Sequence, residues 1–213
     1  MIRGVIFDLD GVITNTAKFH YIAWKNLASE LGIEIDEKFN ETLKGIPRLD
    51  SLVKILEYGG VRQNYSDSDM DSLADKKNEE YKLLLEDLSK DDILPGIEEF
   101  IDELRTNNIK IGLASVSKNA PTILKRLELI EKIDFIADPS KVVNGKPAPD
   151  IFIEATRGIG LKIENTVGIE DAESGVKAMR ACNMRSVGIG VEADLTLKST
   201  SELSLEVISM LDK

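Results

Sequence analysis

Short apolar runs alternate with helix-like segments along most of the sequence, and this alternation restricts the possible folds more than any other feature. A compact apolar run bounded by turn residues predicts a buried strand. Five such runs are present, at residues 4–9, 109–114, 133–137, 166–170 and 186–191. Between them, apolar residues recur every three or four positions, as in helices that cover a sheet. The pattern predicts an α/β fold with a doubly wound parallel sheet and helices on both faces.

One long segment, residues 16–90, interrupts this alternation because it contains helical stripes and no convincing strand. The stripes run over residues 19–31 and 70–88, and glycines and a proline separate them. We therefore expect two domains. One is a catalytic α/β core made of residues 1–15 and 91–213, and the other is a helical-bundle cap, residues 16–90, inserted after the first strand. The acidic patch at 66–71 is interpreted as a solvated helix start.

The charge balance limits the partners that this chain can bind. Its formal net charge is -11, which argues against nucleic acid and against an anionic membrane surface, since both require a basic surface. The single cysteine, Cys182, excludes an intrachain disulfide and suits a reducing compartment. Asp8 and Asp10 interrupt the N-terminal apolar run before it reaches the length of a signal peptide. We expect a cytoplasmic monomer with no nucleic-acid or membrane partner.

Two carboxylates follow the first predicted strand, in the segment F-D-L-D-G-V at 7–12. In an α/β sheet, ligands bind at the carboxyl ends of the strands. Asp8 and Asp10 are two residues apart, so their side chains point the same way if the extended geometry continues. Two such carboxylates attract a divalent cation, and Mg²⁺ prefers oxygen ligands. The alternative is a hairpin turn, which Asp-Gly between apolar residues favours, although a helical stripe rather than a strand follows.

Three further strand ends carry polar residues, and each has a structural interpretation beside the functional one. Ser115 can hold phosphoryl oxygens through its hydroxyl and N–H, but it also suits a helix N-cap. Lys146, in G-K-P-A-P-D, can neutralise a transferring phosphoryl group, while the Pro-Asp that follows fits a plain helix start. Glu170 and Asp171 can complete an oxygen cage for a metal, or form a solvated acidic turn.

Taken together and in this order, D-x-D-G, Ser, Lys-Pro and Glu-Asp resemble the haloacid-dehalogenase-like superfamily, and the resemblance covers nearly all of residues 1–191. It implies a doubly wound core with a helical cap inserted after the first strand. It also implies that Asp8 is the nucleophile that forms an aspartyl phosphate and that Asp10 is the general acid/base. Ser115 and Lys146 would bind the transferring phosphoryl group. The implied ligands of Mg²⁺ are Asp8, the backbone carbonyl of Asp10, Glu170 and Asp171.

Within that superfamily, further segments resemble sugar phosphomutases, namely D-L-D-G-V-I-T-N-T, F-H at 19–20, K-G-I-P-R-L-D-S and A-S-V-S-K-N. The resemblance implies interconversion of β-glucose 1-phosphate and glucose 6-phosphate through β-glucose 1,6-bisphosphate. Thr16 and His20, the only histidine, follow the catalytic loop, and His20 would support Asp10, although a lone histidine beside an apolar stripe is more often structural. The implied substrate-binding residues are Lys44, Gly45, Arg48, Ser51, Lys77, Ser117, Lys118 and Asn119.

Two other functions stay open at this point. Attack of water on the aspartyl phosphate would make the protein a magnesium-dependent sugar-phosphate phosphatase instead of a mutase. Every tenfold preference for the sugar hydroxyl over water requires about 1.4 kcal/mol of differential barrier. A non-catalytic sugar-phosphate sensor is the third possibility, but a sensor needs no nucleophile and the acidic set here is intact.

Overall fold

The structure, a computed structural model, describes residues 1–43 and 46–212. The chain divides into two compact units, a core unit of Met1–Asn15 and Leu88–Lys213 and a cap unit of Thr16–Asp87. The second boundary therefore lies between residues 87 and 88 and not between 90 and 91 as predicted. The reason is that Lys90 forms ion pairs with two core residues, Glu98 and Glu128.

A six-stranded parallel sheet forms the centre of the core unit. Its strands are β1 (Gly4–Phe7), β2 (Lys110–Leu113), β3 (Phe135–Ile136), β4 (Thr166–Glu170), β5 (Arg185–Ile189) and β6 (Leu195–Leu197). They lie in the order β3-β2-β1-β4-β5-β6, and all neighbours are parallel. The chain winds outward from β1 in both directions, which places the topological switch point at the carboxyl ends of β1 and its neighbours.

The sequence predicted five of these strands and missed the sixth. Every residue of β1 and of β4 is buried, which is why β1 and the interior of β4, residues 167–169, contain no polar side chain. The first strand ends at Phe7 rather than at residue 9. β6 was missed because its sequence, L-T-L, is too short to establish a period.

The cap unit consists of helices, and its described residues contain no strand. Its α-helices are α1 (Ala17–Glu30), α2 (Glu37–Glu41), α3 (Arg48–Tyr58) and α4 (Asp67–Leu84), followed by a 3-10 turn at Leu85–Asp87. Trp24, Leu27, Leu52 and Ile55 belong to its buried apolar cluster. Ser66 and Asp69 form a reciprocal capping box at the start of α4, so the acidic patch is a helix start as predicted.

Helices cover both faces of the sheet in the core unit, which confirms the doubly wound architecture. They are α5 (Ile97–Thr106), α6 (Ala120–Arg126), α7 (Asp150–Gly158), α8 (Glu173–Ala181) and α9 (Leu205–Ser209). Ile6 of β1 shares an apolar cluster with Phe152 of α7 and Met179 of α8. The next residue, Phe7, points to the opposite face, where its ring lies 5.9 Å from that of Phe100 in α5. No helix in the described ranges combines the length and apolarity needed to cross a bilayer.

Candidate active site

Three of the predicted site residues lie at the carboxyl ends of adjacent strands. Asp8 directly follows β1, Ser115 lies two residues beyond β2, and Glu170 is the last residue of β4. Phe7 pairs with Ile169 in the parallel register, so Asp8 and Glu170 come at the same level of the sheet. Asp8 is 7%, Ser115 3% and Glu170 1% exposed. The strand order therefore gathers residues from distant parts of the chain at one edge.

The ammonium group of Lys146 joins two of these carboxylates. Its Nζ lies 2.6 Å from Asp8 Oδ1 and 2.7 Å from Glu170 Oε2. The Lys146 side chain is 7% exposed, and burial by itself lowers the pKa of an ammonium group. The negative charges of Asp8 and Glu170 outweigh this effect and raise the pKa of Lys146 above its ordinary value. Lys146 is therefore a fixed positive charge beside the proposed nucleophile.

Asp171 adds a third carboxylate to this cluster. Oxygens of Asp8, Glu170 and Asp171 all lie within 4.8 Å of one another, and Asp171 is the exposed member. Burial and the negative charge of Asp8 raise the pKa of Glu170 to about 8. Clustered carboxylate oxygens fit a hard divalent cation.

Asp10 lies in the tight loop that follows β1, next to Gly11, which packs against the Asp171 carboxylate. It is half-buried, and its backbone forms an isolated bridge to Thr14. Gly11 N donates to the Thr14 carbonyl at 2.8 Å, with a φ of 81° at Gly11 that favours glycine. Because β1 ends at Phe7, the extended path that would align Asp8 with Asp10 does not continue. The hairpin alternative is also wrong, since the next element along the chain is helix α1.

The segment after β2 forms a chain of serine-to-backbone hydrogen bonds. Ser115 Oγ accepts from Ser117 N at 3.1 Å, and Ser117 Oγ accepts from Asn119 N at 3.3 Å. Asn119, not Ser115, is the N-cap residue of α6, so capping does not account for Ser115. Lys118 is exposed, whereas Ser117 and Asn119 are half-buried. The hydrogen bonds hold the backbone after Ser115 in one conformation.

The predicted substrate-binding residues of the cap differ in exposure. Lys44 and Gly45 lie outside the described residues. Arg48 is the first residue of α3, its side chain is 30% exposed, and its Nη1 lies 3.4 Å from Asp75 Oδ1. Ser51 is buried one turn further along the same helix. The substrate-binding roles of these residues stay predictions.

His20 and Lys77 form a buried cluster with aromatic residues inside the cap unit. Lys77 Nζ lies 2.7 Å from His20 Nδ1 and 4.7 Å from the ring centroids of Trp24 and Tyr81. The His20 ring stacks on Tyr81 at 4.0 Å, and the Tyr81 hydroxyl donates to Thr16 Oγ1 at 3.0 Å. Trp24 and Tyr81 were not predicted as site residues, because aromatic residues on helical stripes are ordinarily core.

This environment sets the protonation state of His20. Burial and then the positive charges of Lys77 and Arg48 lower the pKa of His20 well below its ordinary value, so the imidazole is neutral. An ammonium group only donates hydrogen bonds, so Lys77 requires Nδ1 of His20 to be the acceptor. The ring proton is therefore on Nε2, which is left as a hydrogen-bond donor.

Replacing Lys77 with methionine is expected to raise the pKa of His20, because the variant removes one of the two nearby positive charges and the donor to Nδ1. His20 is the only histidine, so its imidazole signals are unambiguous in a heteronuclear NMR titration. Lys76→Met is the matched control, since Lys76 pairs with Glu30 instead. Identical His20 titrations in the two variants would show that Lys77 does not control this imidazole.

The chain is similar to known proteins along nearly its whole length. A model of the haloacid dehalogenase-like hydrolases matches residues 2–183. The chain is 44% identical over 211 residues to the β-phosphoglucomutase of Bacillus subtilis, covering 97% of this chain and 93% of that protein. The crystal structure of β-phosphoglucomutase from Clostridium difficile matches with a TM-score of 0.93 at 46% identity, covering 99% of this chain and 96% of that one. Fructose-1-phosphate phosphatase YqaB of Escherichia coli is 30% identical over 186 residues, 87% of this chain and 95% of that protein.

Proposed function

This chain belongs to the haloacid dehalogenase-like hydrolase family, and we propose that it is a phosphomutase that interconverts β-glucose 1-phosphate and glucose 6-phosphate. The observation that supports the chemistry is the cluster in which Lys146 joins Asp8 to Glu170, with Asp171 beside them, at the switch point of the sheet. The mutase activity follows from the near full-length similarity to the β-phosphoglucomutases of Bacillus subtilis and Clostridium difficile.

The first half-reaction uses Asp8 as the nucleophile. A carboxylate is a weak base, but it attacks phosphorus effectively once the phosphoryl charge is neutralised. An oxygen of Asp8 bonds to phosphorus while the bond from phosphorus to the sugar oxygen breaks, and Asp10 gives a proton to that oxygen. Lys146, held beside Asp8, neutralises charge on the phosphoryl group, and Ser115 binds the phosphoryl oxygens.

The second half-reaction returns the phosphoryl group to a sugar. The 6-hydroxyl of β-glucose 1-phosphate attacks the phosphorus of the aspartyl phosphate, Asp10 takes the hydroxyl proton, and the bond to Asp8 breaks. The product is β-glucose 1,6-bisphosphate. Transfer of its 1-phosphate back to Asp8 releases glucose 6-phosphate and regenerates the phosphorylated enzyme. A trace of bisphosphate is therefore needed to start the cycle.

We assign Mg²⁺ as the cofactor because the cluster consists of carboxylate oxygens, the ligands that a hard divalent cation prefers. The proposed ligands are Asp8, the Asp10 carbonyl, Glu170 and Asp171. When bound, the ion stabilises the negative charge that spreads over the phosphoryl oxygens during transfer.

The affinity for Mg²⁺ is expected to rise with pH up to about 8, because the raised pKa leaves Glu170 protonated in the metal-free protein below that value. Metal ligands must be deprotonated, so binding displaces one proton and the dissociation constant falls about tenfold per pH unit between pH 6 and pH 8. Calorimetry in two buffers of different ionisation enthalpy measures this proton release. The Glu170→Gln variant should bind Mg²⁺ weakly at every pH. A wild-type affinity that is constant between pH 6 and pH 8 would contradict the assignment.

The substrate carries phosphates at both ends during the cycle, so it needs a second set of binding groups. We propose that Arg48 of the cap unit binds one phosphate, since a guanidinium group binds phosphate through paired hydrogen bonds. The other proposed substrate-binding residues are Lys44, Gly45, Ser51, Lys77, Ser117, Lys118 and Asn119. Thr16 and His20 are proposed to support Asp10. The proposed state of the protein is a cytoplasmic monomer.

The decisive experiment is a coupled assay for glucose 6-phosphate. The protein is incubated with β-glucose 1-phosphate, Mg²⁺ and a trace of β-glucose 1,6-bisphosphate, and free phosphate is measured in parallel. Formation of glucose 6-phosphate well in excess of free phosphate supports the mutase. The runner-up is a sugar-phosphate phosphatase, favoured by the similarity to the Escherichia coli enzyme. Release of free phosphate from several sugar phosphates, without glucose 6-phosphate, would establish the runner-up instead.

A further inference from the structure

Glu170 is packed directly against a glycine of the following helix. Gly175 is the third residue of α8 and is buried, with ordinary helical backbone. A β-carbon built on Gly175 would overlap Oε2, Cδ and Cγ of Glu170. The carboxylate group thus occupies the volume that any larger residue would fill.

Both oxygens of the Glu170 carboxylate are held in this position. Oε2 accepts from Lys146 Nζ at 2.7 Å, and Oε1 accepts from Ala172 N at 3.2 Å. The side chain is only 2% exposed, so it has no open space into which it can retreat. A displacement that relieved an overlap with residue 175 would therefore break the contact of Glu170 with Lys146 and move the carboxylate away from Asp8 and Asp171.

We propose that Gly175 is a positioning residue for the metal site, and that the absence of its side chain is what allows Glu170 to occupy its place in the carboxylate cluster. Alanine is favoured over glycine inside a helix, so helix formation alone does not explain a glycine here. A β-carbon at position 175 should therefore weaken metal binding. It should also lower the stability of the metal-free protein, because the displaced Glu170 carboxylate loses Lys146 as its partner.

A second glycine, Gly11, is packed in the same way against Asp171, the carboxylate that follows Glu170 in the chain. A β-carbon on Gly11 would overlap the carboxylate of Asp171. The φ of 81° at Gly11 makes any substitution there strained, whatever space is available. Gly175 is therefore the position at which the steric effect can be tested without backbone strain.

The test is the Gly175→Ala variant, with Gly158→Ala as the matched control. Gly158 is the last residue of α7 and is packed just as closely, since a β-carbon there would overlap the ring of Phe135 in β3. The atoms nearest to that β-carbon belong to Phe135 and not to a carboxylate of the metal site. We expect Gly175→Ala to unfold at a lower temperature than wild type, because Glu170 loses its contact with Lys146, and to bind Mg²⁺ at least about tenfold more weakly by calorimetry. Gly158→Ala should unfold at a lower temperature and keep its Mg²⁺ affinity within about twofold of wild type.

A double variant keeps the proposal testable if Gly175→Ala fails to fold. Glu170→Ala removes every Glu170 atom with which the added methyl group overlaps. Glu170→Ala/Gly175→Ala should then fold and bind Mg²⁺ about as well as Glu170→Ala alone, so the two effects are not additive. An additive loss in the double variant would overturn the proposal, as would wild-type Mg²⁺ affinity in Gly175→Ala.

This inference rests on the proposed metal-dependent function, but the two fail in different ways. If the wild-type protein binds no Mg²⁺, the cofactor assignment is wrong and the proposal about Gly175 falls with it. If wild type and Gly175→Ala bind Mg²⁺ equally, only the positioning role is wrong and the proposed function stands.

Discussion

Replacing Asp8 with asparagine is expected to lower kcat by at least about 10⁴-fold, because loss of a nucleophile removes the covalent step itself. Asparagine has nearly the same shape, and its carbonyl oxygen can still accept from Lys146 Nζ, so the site should stay intact. The dissociation constant for a sugar phosphate should therefore stay within about tenfold of wild type. Steady-state kinetics with calorimetric binding separates the two effects.

A second measurement on the same variant tests the covalent intermediate directly. Wild-type protein incubated with Mg²⁺ and a radiolabelled phosphate donor should retain acid-stable, base-labile label, and Asp8→Asn should retain none. Asp91→Asn serves as the control, since Asp91 is an exposed aspartate of the same unit. Normal turnover in Asp8→Asn, or wild-type protein that is never labelled, would rule out the aspartyl-phosphate mechanism.

Replacing Lys146 with methionine is expected to lower the free energy of unfolding by about 3–5 kcal/mol in the absence of metal, because it leaves two buried carboxylates without their shared cation. The Asp8 side chain is 10% and that of Glu170 2% exposed, so water compensates little of the lost interaction. The loss should be largest above pH 8, where Glu170 is ionised. Denaturant unfolding in EDTA measures it, and added Mg²⁺ should recover part of it.

The same variant should lose about 10²–10³-fold in kcat with Mg²⁺ present, because a preorganised charge beside the transferring group is missing. Lys141→Met is the matched control, as Lys141 is an exposed lysine in the same connecting segment. Equal stability of Lys146→Met and Lys141→Met in EDTA at high pH would show that the buried ion pairs contribute little.

The fold was largely predictable because burial imposes a period on the sequence. β1 and β4 are buried on both faces, so β1 and the interior of β4 contain no polar side chain, while α5 and α7 show the three-or-four spacing of helices packed on a sheet. The boundaries were less predictable. β1 ends at Phe7, two residues before the predicted end, because the chain turns into the Asp10 loop. The core unit resumes at Leu88, before the predicted residue 91, because Lys90 pairs with the core residues Glu98 and Glu128.

The candidate site also has a part that the sequence predicted and a part that it did not. Residue types at strand ends made Asp8, Ser115 and Glu170 candidates, since a parallel sheet presents all its carboxyl ends at one edge. Lys146 lies in the connection between β3 and α7, well beyond the end of a strand. The sequence pattern alone could not exclude that Ser115 caps a helix. The structure excludes it, because Asn119 is the N-cap residue of α6. The contact of Lys77 with Trp24 also left no signal in the sequence, because these two residues lie in different helices. Tyr81 follows Lys77 by one turn of α4, so that contact is compatible with the sequence spacing.

By itself, the sequence determined the α/β class, the inserted helical cap and the identity of the acidic and basic residues at the strand ends, because periodicity and local residue chemistry are properties of short segments. Only the tertiary structure decided which groups meet. Lys146 lies 138 residues from Asp8 along the chain, and their contact depends on the strand order β2-β1-β4. The space at Gly175 that admits the Glu170 carboxylate is likewise a property of packing, which no local pattern in the sequence encodes.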